Sequence, residues 1–136
     1  MPDDKRLGFA ATHALLVAVT LSAIARGAEI GVPPPAELSI DYGRDVRPVL
    51  ARSCLHCHGP DEQESNFRVD VHATLLAGGD SGEPAVLSGN STESPLVRRV
   101  SGVDEDLLMP PVGEGKRLSP DEISLLLACI DQVAPI

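Results

Sequence analysis

The stretch Cys54-Leu55-His56-Cys57-His58-Gly59-Pro60 constrains this chain more than any other. Its form is C-x-x-C-H. Two cysteines at that spacing alone fit several chemistries, since zinc sites and thiol–disulfide motifs share it. A histidine directly after the second cysteine narrows the field to the attachment signature of c-type haem. The geometry explains the spacing. Cysteines three apart reach neighbouring edges of one planar ring, each forming a thioether to a vinyl group. The next residue, His58, is then held under the iron as an axial ligand. A zinc site of Cys54, Cys57 and His58 with Cys129 or His72 is the competing reading. Structural zinc usually takes two close-spaced ligand pairs, and a second pair is missing here.

A second signal lies at Leu107-Leu108-Met109-Pro110-Pro111. Met109 is the single methionine besides the initiator. A thioether is a good sixth ligand to haem iron and raises its potential. Pro110 lacks an N–H and stiffens the loop that would hold the sulfur. Without the upstream motif, Met109 reads as a flexible filler of the core. With it, Met109 is expected to be the second axial ligand.

The N-terminus reads as an address. Lys5 and Arg6 precede an apolar run from Ala14 to Ala25, followed by small residues around Gly27 and Ala28. Residues 1–28 are expected to be a secretory signal peptide. The run is short of the about 20 residues that a membrane span requires, although no charge interrupts Leu7 to Ala25, which keeps an uncleaved anchor as the alternative. Export, to the periplasm or cell envelope, fits the haem signature. Residues 29–40, with Pro33-Pro34-Pro35, are expected to form an extended linker. Residues 41–136 then form the haem domain.

Three cysteines do not suit a disulfide framework, which more often has an even set. Two belong to the motif, and Cys129 is expected to be a small buried hydrophobe. The formal net charge is −9. Residues 1–28 carry one net positive charge, so the remainder sits at −10. That excludes nucleic acid and anionic membrane as natural partners. Aromatics are scarce: no Trp, one Tyr and two Phe, of which Phe9 lies in the leader. Such a chain gains much from a flat apolar group at its centre.

Helical spacing marks two segments. Val46, Val49 and Leu50 follow Asp45, which suits an N-cap, with Pro48 in the first turn. This helix is expected to end near Cys54, with Gly59-Pro60 stopping the chain beyond the motif. Near the C-terminus, Ser119-Pro120-Asp121-Glu122 forms a capping box with Pro at the first position. Ile123, Leu126, Leu127 and Ile130 follow at i, i+3, i+4 and i+7. Residues 60–118 are loop-rich. A helical turn is expected at His72–Ala77, and a short helix from Ser94 with Pro95 first. Gly78-Gly79-Asp80-Ser81-Gly82 lacks the Gly-Lys-Ser/Thr of a phosphate loop and reads as a turn with positive φ.

Taken together, these motifs resemble the planctomycete-type cytochrome c domain, a relative of class I c-type cytochromes. The residues that carry the resemblance are Asp45 to Leu50, Cys54 to Pro60, Phe67 to Asp70, the glycine cluster, Glu93 to Leu96, Met109-Pro110-Pro111 and Leu118 to Ile123. The resemblance implies a small all-α fold whose N- and C-terminal helices cross beside a covalently bound haem, with a loop-rich middle. It implies His58 and Met109 as axial ligands. Where the family usually has Trp-Ile in the last helix, this chain has Cys129-Ile130. Members are usually the front end of longer secreted proteins, so C-terminal domains outside this chain are expected among its partners.

The expected function is a c-type cytochrome domain that carries single electrons through one haem c to an unidentified redox protein, rather than an enzyme. The alternatives are a peroxidase-like or redox subunit of a larger secreted enzyme, with His72 the one distal candidate, and the Cys/His metal module above. Arg68, Arg98 and Arg99 are candidates to meet the haem carboxylates.

Overall fold

The computed structural model describes residues 31–132. The expected signal peptide lies outside them. Among the described residues no strand forms, and no helix is long and apolar enough to cross a membrane.

The chain enters through Val32 to Ile40, non-helical as three successive prolines require, and bends at Glu37 and Leu38. It does not run free as a spacer. Val32 and Ala36 pack on the core, Ile40 is buried, and the Ala36 N–H donates to the Ser124 carbonyl at 3.0 Å. Gln132 clamps the same stretch. Its Oε1 accepts from the Ile40 N–H at 3.0 Å and its Nε2 donates to the Leu38 carbonyl at 2.7 Å. The packed unit therefore begins ahead of residue 41.

The first helical segment starts earlier than expected. A π-helical turn, Tyr42–Val46, leads into α1, Arg47–Cys54. Asp41, not Asp45, is the N-cap: its Oδ1 accepts from the Arg44 N–H at 2.8 Å. Asp45 reaches back instead, its Oδ2 accepting from the Asp41 N–H at 2.9 Å. This is the reciprocal arrangement of a capping box, shifted by the wider turn. Pro48 stays within the first turn of α1, where its missing N–H removes no internal bond.

Short helices α2, His72–Ala77, and α3, Pro95–Ser101, punctuate the long middle segment. Between Phe67 and Val71 the chain turns at Val69 and Asp70 rather than running extended. The last helix, α4, spans Pro120–Asp131. Ser119 caps it, and its N–H in turn donates to Glu122 Oε2 at 2.9 Å. The expected stripe of Ile123, Leu126, Leu127 and Ile130 is buried, and Ala128 and Cys129 are buried with it. The apolar face is wider than one stripe because α4 is covered twice, by α3 and by the π-helical turn. Cys129, 1 % exposed, is enclosed in the core as expected. Arg52 of α1 bridges to Glu122 of α4 at 2.9 Å, tying the motif-bearing helix to the last one.

Candidate haem site

The motif begins in the last residue of α1 and turns away from it. The N–H groups of Cys57 and His58 both donate to the Cys54 carbonyl, at 3.3 and 2.9 Å, so the helical winding continues for one more turn. Gly59 ends that turn. A Cβ there would overlap the Leu55 carbonyl, so only glycine lets the chain fold back so closely. The acidic turn then returns to the motif: the Glu64 N–H donates to the Cys57 carbonyl at 2.9 Å, and the Val69 N–H to the His58 carbonyl at 2.9 Å.

This return orients His58. Its Nδ1 lies 3.1 Å from the Glu64 carbonyl oxygen, and its ring meets Phe67 edge-on, with centroids 5.4 Å apart. A histidine that ligates a metal through one ring nitrogen commonly donates its other N–H to such a carbonyl.

His58 opens onto a cleft of about 170 Å³, partly open to solvent. One wall is the motif, with Cys54 and His58. Phe67 and Val69 form a second. Gly78 to Ser81, with Glu83 and Ala85, form a third, and Leu96, Arg99 and Val100 of α3 a fourth. Met109 completes the lining. Its N–H donates to the Arg99 carbonyl at 3.0 Å, which anchors the methionine loop to α3. The expected positive-φ turn is present at Gly78 (φ 80°) and Gly82 (φ 71°). At Gly78 any Cβ would overlap the Glu83 carbonyl oxygen, so the bare backbone lets this loop close tightly along the cleft.

Three of the four expected haem residues, Cys54, His58 and Met109, thus line one cavity. Cys57 is not among the lining residues. It groups with His56 and Glu62, their ligand atoms all within 4.8 Å of one another. Among the described residues that is the one cluster of three or more such side chains, and it is not the zinc set considered from sequence. Cys129 is buried in α4, and His72 is exposed at the start of α2 and does not line the cavity. All three thiols are free. Burial pushes the Cys54 thiol up to about 11, with only a small opposing effect from Arg52. The Cys57 thiol is also raised, first by desolvation and then by the carboxylates of Glu62, Glu64 and Glu114. Both are therefore held as neutral thiols at neutral pH.

The donor set fits haem. An imidazole and a thioether face one cleft, with a cysteine beside the imidazole and the apolar side chains of Phe67, Val69, Leu96 and Val100 around them. Sequence reading named Arg99 as a candidate for the haem carboxylates and the glycine cluster as a turn, but not Ser65, and not that the turn walls the cleft. The glycine cluster was the one local signal for that wall, since it marks a place where a backbone passes unusually close to another.

No curated protein and no solved structure matches the chain. Residues 54–113, from the first motif cysteine to the loop just past Met109, match the family model described as Planctomycete cytochrome C.

Proposed function

We propose that this domain is a single-electron carrier. Haem bound here supplies a ferric–ferrous couple. The observation that carries the reading is the convergence of Cys54 and His58 of the motif with Met109, distant in sequence, on one apolar-walled cleft. Cys54 and Cys57 hold the porphyrin by thioethers. His58 binds through Nε2, because its Nδ1 faces a carbonyl that can only accept. Met109 would supply the second protein ligand, and its soft neutral sulfur would favour ferrous over ferric iron. Were His58 and Met109 both to bind the iron, no coordination site would be left for a substrate, which separates a carrier from a peroxidase. His72, the sole distal acid–base candidate from sequence, is exposed and away from the cleft lining, which weighs against the peroxidase reading.

The last helix lends no side chain to the cleft and supports the motif-bearing helix from outside it, through Arg52 and Glu122. The leader exports the chain, and the partner is a redox protein outside the cytoplasm. The test is the visible spectrum of the protein made together with a haem-attachment system. Red protein whose haem survives acid–acetone extraction supports the reading, and colourless protein refutes it.

A further inference from the structure

The sequence offers three arginines that could meet the carboxylates of a haem, and their surroundings differ. Arg68 is occupied. Its Nε donates to Asp70 Oδ1 at 3.0 Å and its Nη2 to Oδ2 at 2.6 Å, the two-pronged pairing that a guanidinium makes best. Arg98 is exposed on α3 and does not line the cleft. Arg99, the next residue, is half-buried and lines it, between the apolar Leu96 and Val100.

Among the described residues, no ion pair engages Arg99. The other charged groups on the cleft are Asp80 and Glu83, both exposed, and Asp80 already accepts from the Asn66 amide at 2.7 Å. A cation drawn out of water against an apolar wall is costly unless an anion meets it. A planar guanidinium with a fixed fork of donors matches a carboxylate specifically.

We propose that the Arg99 side chain binds a carboxylate of the haem at the α3 wall of the cleft. This rests on the haem reading. The same residue holds the methionine loop by a different atom, its main-chain carbonyl, which accepts from the Met109 N–H at 3.0 Å. A side-chain substitution leaves that bond in place. The effect of the guanidinium is thereby separable from any effect on the sixth ligand.

The experiment uses the holoprotein and begins with acid–acetone extraction of the wild type. Loss of haem there refutes the haem reading and this proposal together. With haem retained, Arg99→Gln is compared with Arg68→Gln and Arg98→Gln by voltammetry, by the far-red sulfur-to-iron band and by resonance Raman of the carboxylate bending mode. In Arg99→Gln the reduction potential is expected to fall, because an uncompensated anion near the iron favours the ferric state. The bending mode shifts, and the far-red band stays. Arg99→Lys keeps the charge but loses the fork, so it restores most of the potential while the bending mode remains altered. It also serves should the glutamine variant fail to fold. An unchanged bending mode in both Arg99 variants overturns the proposal, as does a larger shift in the Arg68 or Arg98 variant.

Discussion

The Nδ1 of His58 lies 3.1 Å from the carbonyl oxygen of Glu64, the residue whose own N–H donates to Cys57. Since a carbonyl has no proton to give, Nδ1 carries the hydrogen and Nε2 keeps its lone pair. The turn that follows the motif therefore selects the tautomer before any metal is present. The His58 Nδ1–H is expected to be protected from exchange in the reduced haem protein, visible by proton NMR as a slowly exchanging imidazole signal. Rapid exchange would show that the turn does not hold the ring.

Replacing both motif cysteines, Cys54→Ala with Cys57→Ala, is expected to abolish covalent haem. Cys57 does not line the cleft and lies among Glu62, Glu64 and Glu114, so attachment must bring its thiol to the ring. Haem that withstands acid–acetone extraction in the double variant would show that the thioethers lie elsewhere.

Met109→Ala is expected to keep covalent haem, since Cys54, Cys57 and His58 are untouched. It should lower the reduction potential, remove the far-red band and admit carbon monoxide or cyanide to the iron. Pro110, buried behind it, and the hydrogen bond to Arg99 hold the loop, so the backbone should stay in place. Identical potential and far-red absorbance in wild type and variant would make Met109 a packing residue.

Glu122 joins two functions, closing the capping box of α4 and pairing with Arg52. Its carboxyl is held below the usual value of 4.5, first by the Ser119 N–H and then by Arg52. A depressed pKa means that the charged form stabilises the fold. The contribution is complete above 4.5 and is lost as pH falls through the lower folded value. Glu122→Ala is expected to cost about 1–2 kcal/mol at neutral pH, mostly through the cap. Chemical denaturation at neutral and acid pH tests this: the gap between wild type and variant should shrink on acidification. A constant gap would mean that the loss is one of packing.

Cys129→Ser should leave haem attachment intact and lower stability by roughly 1–3 kcal/mol, because a hydroxyl at a 1 %-exposed site is desolvated. Thermal unfolding and haem staining of the variant measure the two effects separately. Loss of covalent haem without loss of folding would give this thiol a role in attachment.

The elements legible in sequence are those whose cause is local. The capping box at Ser119 and Glu122, the proline-led starts of α3 and α4, and the positive-φ glycines each depend on a few neighbouring residues, and each forms as its sequence implies. The C-x-x-C-H motif is local too, because attachment to one ring demands that spacing. Where several residues compete for one local role, sequence decides less well. Asp41 and Asp45 both suit an N-cap, and the π-helical turn gives the cap to Asp41, with Tyr42 half-buried and Val46 buried against the core. The proline-rich entry reads as a free spacer because proline reports only backbone extension. Its docking depends on Gln132 and Ser124, some ninety residues away. The cleft is decided wholly by tertiary packing. Arg98 and Arg99 are chemically identical neighbours, and about 100° of helical rotation separates their side chains. Only the way α3 packs turns one of them to solvent and the other to the cavity that His58 and Met109 share.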